Sequence, residues 1–399
     1  MKNLVVMCDG TSNSIEPDLS NIGRLLRCLS KDETQRVFYR TGVGSAARQA
    51  FWSLRLREAQ ALWEQATGYG IDDDVCAIYR FICCNHEPGD KICLFGFSRG
   101  AYTVRIVAAL IHMAGLLPPD QSNLAEQLLA TYKRIGEKDG QAIASDFAEV
   151  GTFAKIADAR RATVHFLGLF DTVSSVIVPG RNLFGFLPGT SRLPYTRENP
   201  SVRTVRHAVS IDERRSMFRS NRWVEKQLYV EDPFASPPVS IDQDVKQVLF
   251  SGVHADIGGG YPEKAAGLAK IPLSWLIGEA KAHGIRFRDR RVRRFVLGEK
   301  ERDSDAFSKP VASADMHRSL AKGWWILEVF PKKKSLRETR TLSLFGLYIP
   351  FGERRAFIAR ETPLLVHRSV LDRIEATGCT PPNLPGAYNV EEPKAGPPA

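Results

Sequence analysis

A serine stands in the pattern Gly96-Phe97-Ser98-Arg99-Gly100, between an apolar run, Ile92-Cys93-Leu94-Phe95, and a stretch of small and branched residues from Ala101 to Ile111. Strand, sharp turn and helix in that order are what a G-x-S-x-G elbow needs to push a serine hydroxyl out above a sheet. A serine hydroxyl is a poor nucleophile until a neutral imidazole takes its proton, and the imidazole needs a carboxylate to fix its tautomer. Both partners occur downstream at the ends of apolar runs. Asp171 follows Val164 to Phe170, and His254 follows Val245 to Gly252 in Gly252-Val253-His254-Ala255-Asp256-Ile257-Gly258-Gly259-Gly260. Of eight histidines, His254 alone sits at a strand end in a glycine-rich loop. The chain order serine, acid, histidine is that of α/β hydrolases.

Two other carboxylates compete for the acid's place. Asp212 ends the run Val202 to Ile211 and is the alternative acid, although Glu213-Arg214-Arg215 beside it points to a carboxylate engaged by guanidinium groups. Asp256 is two residues from His254, where a side-chain meeting is rare, and reads as a tie for the glycine loop. Acyl transfer also needs two N–H donors facing the developing oxyanion. One comes from the residue after the nucleophile, Arg99, and the other from an early strand-to-helix loop. The polar turn Asp9-Gly10-Thr11 after Leu4 to Met7 nominates Thr11 or Gly10 for it. Gly180 to Pro200, rich in Gly, Pro and aromatics, reads as a loop over the entrance, with Phe184, Phe186 and Tyr195 as substrate contacts.

The elements that must carry these residues alternate between strand and helix, which predicts an α/β protein with a mostly parallel central sheet flanked by helices. Strands are expected at 4–7, 36–40, 92–95, 164–170, 202–211 and 245–252, the last of the series. Helices are expected at 21–29, 50–67, 75–82, 101–114, 123–135, 142–150 and 274–282. Asp72-Asp73-Asp74 is read as helix capping and dipole complementarity rather than a cation site. Residues 1–285 are assigned to the catalytic core. Residues 286–392 form a basic, aromatic-rich extension: Ile285 to Lys300 carries six arginines, and Lys322, Lys332, Lys333, Lys334, Arg337 and Arg340 surround Trp324, Trp325 and Phe330. Cations interleaved with Trp and Phe are the signature of a surface that meets anionic lipid. The Pro- and Gly-rich tail, 393–399, is expected to be disordered.

The chain has 399 residues, 43% hydrophobic and 25% charged, a globular composition. Its net charge of +10 favours anionic partners without choosing among them. Seven cysteines lack C-x-x-C or H-x-x-x-H spacing, so buried reduced thiols are expected, with no metal and no cofactor. Leu4 to Met7 is too short for a signal peptide, and no run approaches a membrane span. The chain is therefore expected to be cytoplasmic as synthesised, with export only by a signal-independent route. A Walker-type G-x-x-x-x-G-K-[ST] is missing, which argues against nucleotide hydrolysis.

The set Asp9-Gly10-Thr11, Gly96-Phe97-Ser98-Arg99-Gly100-Ala101-Tyr102, Gly168-Leu169-Phe170-Asp171-Thr172-Val173, Asp212-Glu213-Arg214-Arg215 and His254-Ala255-Asp256-Ile257-Gly258-Gly259-Gly260-Tyr261 resembles the motifs of a bacterial uncharacterised α/β-hydrolase family that includes type VI secretion phospholipase effectors. The resemblance runs from Leu4 to about Tyr261, with echoes at His317 and His367-Arg368-Ser369-Val370. It implies hydrolysis of phospholipid acyl esters, with nucleophile, acid and base on Ser98, Asp171 and His254. It also implies a lipid or membrane surface as substrate and an immunity or secretion-machinery protein as partner. A hydrolase of soluble esters, thioesters or amides would carry the same three residues. A non-catalytic module binding nucleic acid or another anion through the arginine run is the reading from a different class, disfavoured because it leaves the serine, acid, histidine and glycine loops without a purpose.

Overall fold

In β1 (Asn3–Cys8), Asn-Leu-Val-Val-Met-Cys, every residue is buried. An apolar run without alternation demands this, because both faces must be covered, as in the middle of a parallel sheet. The computed structural model describes residues 1–10, 13, 15, 18–42, 70–137, 144–173, 193–216, 218–232, 239–300, 307–320, 324–325, 328–329, 332–333, 347–349, 351–352, 357 and 363–393. The helix expected at 50–67 lies outside them, as do Thr11, Phe184 and Phe186.

β1 pairs in parallel with β2 (Gln35–Arg40) on one side and β3 (Lys91–Phe97) on the other. The sheet continues through β4 (Val164–Phe170), β5 (Thr204–Ser210) and β8 (Asp244–Phe250), again all parallel. β6 (Leu228–Asp232) and β7 (Val239–Asp242) form a separate antiparallel hairpin. The β2-β1-β3-β4-β5 order reverses direction between β1 and β3. Outside the carboxyl ends of these two strands is the crevice where open α/β sheets bind ligands. The loops that begin at Asp9 and Ser98 open there.

One face is covered by α2 (Ile71–Asn85), α3 (Arg99–Ala114), α4 (Ala125–Glu137) and α5 (Ala144–Ile156), around a core that includes Val104, Val107, Leu128 and Leu167. The other is covered by α1 (Asn21–Cys28), α7 (Lys270–Ala282) and α8 (Asp289–Phe295), which pack Ile22, Leu25, Leu273 and Leu276 against Val5, Cys93 and Phe166. Ser20 caps α1, its hydroxyl accepting the Gly23 N–H at 3.0 Å, a contact type worth about 1 kcal/mol. The three aspartates fall in the first turn of α2 behind Gly70, which supplies the left-handed cap. Asp74 is drawn aside to Arg40 at 2.5 Å and Asp72 to Lys133 at 2.8 Å.

The stretch 286–392 is more than an addition to a finished sheet. Lys332–Lys333 (β9) and Leu347–Tyr348 (β10) make a short antiparallel pair. β11 (Leu364–His367) then adds in parallel to β8, and β12 (Tyr388–Glu391) to β11, giving eight strands in the order β12-β11-β8-β5-β4-β3-β1-β2. In this sheet two strands thus follow the one at 244–250 that sequence pattern marks as last. A third core cluster, Val209, Ile211, Leu249, Leu364, Val366 and Val370, joins them and α9 (Arg368–Thr377) to β5 and β8. Among the described residues no helix is long and apolar enough to cross a membrane.

Candidate active site

Ser98 links β3 to α3 with φ 57° and ψ −121°, a left-handed conformation that costs a non-glycine residue strain and turns its side chain out of the elbow. The neighbouring glycines make the approach possible. A Cβ on Gly96 would lie 2.5 Å from Cα of Ala101, and one on Gly100 would lie 2.3 Å from the carbonyl oxygens of Cys8 and Asp9. Backbone cannot yield as a flexible side chain can, so α3 seats against β1 only with glycine at these positions.

The Ser98 hydroxyl is 2.8 Å from Nε2 of His254, and Nδ1 of His254 is 2.6 Å from Oδ2 of Asp171. These side chains come from the ends of β3, β4 and β8, within residues 7%, 0% and 5% exposed for Ser98, Asp171 and His254. Burial holds the His254 imidazole below its ordinary pKa despite the opposing pull of Asp171, so it is neutral at pH 7 and its Nε2 is free to take a proton. Nδ1–H donates to Asp171, which fixes that tautomer. Asp171 itself has φ 34° and is held from several directions. Its N–H donates to the Ala208 carbonyl at 2.8 Å, its Oδ1 accepts the Ser210 N–H at 3.1 Å, and the next N–H, of Thr172, donates to Nε2 of His207. His207 is kept neutral by burial and by Arg105, with its pKa pushed down to about 3, and so remains an acceptor.

The other acids have different employment. Oδ2 of Asp212 accepts the Gly252 N–H at 2.8 Å and the Asp212 N–H donates to the Gly252 carbonyl, joining the ends of β5 and β8. Arg215 places its guanidinium on Glu213, with Nε and Nη2 each 3.0 Å from a carboxylate oxygen. Asp256 ties the glycine loop, accepting the Val253 N–H at 3.0 Å, and also takes Nδ1 of His317 at 2.6 Å. On the oxyanion side, the Gly10 N–H donates to the Asp9 carboxylate at 2.7 Å and is committed there. Asp9 also accepts the Ser20 and Tyr39 hydroxyls, and its burial pushes its pKa up to about 6. Arg99 is the first residue of α3, directly after the serine.

Tyr195 is not beside these residues. Its ring meets His112 at 4.3 Å and Phe147 at 6.2 Å, near the far end of α3. The rings that do flank His254 are Phe97, at 4.7 Å, and Phe218, at 4.8 Å edge-on. Phe97 is the first of the two variable residues of the serine pattern and is signalled by it. Phe218 has no signal in the sequence, and Trp324, whose ring stands 5.3 Å from Phe218, reads there as a surface aromatic. Among the described residues no group of His, Cys, Asp and Glu is placed to hold a metal ion.

A mostly parallel eight-stranded sheet flanked by helices, with a serine elbow at its switch point, is an α/β-hydrolase-like fold. Residues 2–279 match the phospholipase effector Tle1-like catalytic domain of the type VI secretion system, and the chain belongs to that family. It is also 32% identical, over 233 residues, to an uncharacterised protein of Saccharomyces cerevisiae, a likeness that extends beyond bacteria. Two solved structures are similar at 18% identity. An uncharacterised protein from Pseudomonas aeruginosa matches over 72% of this chain with a TM-score of 0.37. A Tle1 effector bound to the VgrG spike of the type VI secretion system matches over 67% with a TM-score of 0.29. The matches take in 55% of this chain and 32% of the yeast protein, and 46% and 53% of the two solved chains, so the chain spans a third to a half of these relatives.

Proposed function

We propose that the chain is a serine hydrolase that cleaves phospholipid acyl esters through an acyl-enzyme on Ser98. The observation that carries the chemistry is the continuous hydrogen-bonded chain from the Ser98 hydroxyl through His254 to Asp171. The choice of phospholipid rests on family membership. In this reading Nε2 of His254 takes the hydroxyl proton as Ser98 Oγ attacks the ester carbonyl carbon, and Asp171 stabilises the imidazolium. In this reading the N–H of Arg99 and one from the turn Asp9-Gly10-Thr11 receive the oxyanion. The tetrahedral intermediate collapses, the alkoxide of the lysophospholipid leaves with the proton from Nε2, and water, deprotonated by the same nitrogen, releases the fatty acid and regenerates Ser98. Delivery through a type VI secretion apparatus, with a secretion-machinery or immunity protein as partner, belongs to the same proposal.

The test is labelling with a serine-reactive fluorophosphonate, with the labelled peptide identified and products from phospholipid vesicles compared with those from a short water-soluble ester. Label on Ser98 and release of fatty acid from vesicles are expected. Label without vesicle hydrolysis would move the substrate to soluble esters, and absence of label at Ser98 would overturn the mechanism.

A further inference from the structure

The motif Asp212-Glu213-Arg214-Arg215 is left unused by the proposed chemistry, yet its second residue is 0% exposed and bonded to the catalytic loop. Glu213 Oε2 accepts the backbone N–H of His254 at 3.0 Å. Its Oε1 accepts the N–H groups of Arg214 and Arg215, at 3.0 and 2.8 Å, and the hydroxyl of Ser319 at 2.9 Å. The Arg215 guanidinium spans both carboxylate oxygens and then covers Phe218 at 3.6 Å from the ring centre, and Phe218 in turn meets the His254 ring. The N–H of Glu213 donates to the Ser210 hydroxyl at 3.1 Å, while the Ser210 N–H donates to Asp171. A closed circuit results: Asp171 to Ser210, Ser210 to Glu213, Glu213 to the His254 backbone, and the His254 ring back to Asp171.

We infer that Glu213 is a positioning residue for the proposed reaction, with its carboxylate setting the place of His254 through the backbone and, with Arg215, the charge around the imidazole. This rests on the Ser98–His254–Asp171 reading. The need for such a brace follows from the loop it holds. His254 opens α6 (His254–Gly258), a five-residue helix closed by Gly259, too short to fix a side chain to a fraction of an ångström by itself. A misplacement of about 1 Å costs on the order of 10²-fold in rate. The charged groups that bear on His254 are Asp171 from β4 and the Glu213–Arg215 pair from the segment after β5. Asp171 and Glu213 raise the imidazole's proton affinity, and Arg215 lowers it.

Two substitutions follow, read on the full chain with a soluble ester. Glu213→Gln keeps the shape but loses the charge, so kcat should fall about ten- to a hundred-fold with KM unchanged. The acidic limb of kcat/KM should move to lower pH, because Arg215 then acts on the imidazole unopposed. Arg215→Gln should move the limb the other way. A purely structural role would lower the melting temperature of Glu213→Gln and leave the limb of the folded fraction in place, and that result would overturn the inference. So would a folded Glu213→Gln with unchanged kcat and pH profile. If Glu213→Gln does not fold, the opposite shift in Arg215→Gln decides, and its absence overturns the inference. Fluorophosphonate labelling of wild-type Ser98 separates the two levels: no label sinks the serine-hydrolase reading, whereas label and turnover with unresponsive variants sink only the role of Glu213.

Discussion

Two regions of the chain build the surroundings of Ser98, Asp171 and His254 in different ways. Residues 3–258 supply Ser98, Asp171 and His254, each just past the carboxyl end of a buried parallel strand, so each is announced by an apolar run followed by a polar turn. The described residues of 307–391 supply no strand-end group to that set. They reach the same place sideways, with Ser319 on Glu213, His317 on Asp256 and stacked at 3.6 Å on Tyr261, and Trp324 on Phe218. Groups that would react are placed by local chain direction, whereas the groups that hold them are placed by contacts across long stretches of sequence.

The sharpest way to break this contrast is to remove the nucleophile. Ser98→Ala should leave the fold intact and lower turnover by roughly 10⁴ to 10⁶, measured on a soluble ester beside a melting curve. Retention of near-normal turnover by the folded variant would place the chemistry elsewhere. Next in size is the acid. Asp171→Asn should cost about 10²- to 10⁴-fold through loss of the productive imidazole tautomer. Asp212→Asn should act mainly on melting temperature, because its carboxylate holds the Gly252 N–H. A stable, inactive Asp212→Asn beside an active Asp171→Asn would reverse the roles.

The pH profile tests the buried base. In the proposed mechanism neutral His254 is the reactive form, and its folded pKa lies below the ordinary 6.5, first because of burial. Turnover by that mechanism should therefore be fully present above that ordinary value and be lost only at more acid pH. The limb of kcat/KM should have its midpoint below 6.5 and fall about tenfold per pH unit beneath it. A midpoint above 6.5 would mean that the Asp171 carboxylate outweighs desolvation.

The smallest effects distinguish the two tryptophans of the C-terminal part. Trp325 is 40% exposed, and Trp325→Ala should weaken binding to anionic vesicles roughly five-fold while sparing a soluble ester. Trp324 packs on Phe218 and under Arg215, so Trp324→Ala should lower stability by about 1 kcal/mol and reduce turnover of both substrates. Equal behaviour of the two variants in vesicle sedimentation and ester assays would erase the distinction between lipid-facing and site-facing aromatics.

Sequence pattern located β4 to the residue, because Val164 to Phe170 is uninterrupted and its two ends are polar. It missed β11 and β12, four residues each, whose alternation is too brief to stand out and whose strand character comes from pairing with β8 and with each other. The Ser98 elbow and the His254 loop were legible from their glycines together with the apolar runs that precede them. The hub at Glu213 was not, since its partners His254 and Ser319 are 41 and 106 positions away and its neighbours, Asp212, Arg214 and Arg215, look like ordinary surface charge. Of the guanidinium groups beside Asp212, that of Arg215 pairs with Glu213.

The placement of β11 and β12 also sets a clock on synthesis. A nascent chain that has emerged as far as Lys300 already holds Ser98, Asp171 and His254. It still lacks the two strands that finish the sheet beyond β8 and the Ser319 and His317 contacts that tie down the histidine loop. The completed sheet and braced loop become available to the polypeptide only once Tyr388–Glu391 has emerged and can dock beside Leu364–His367.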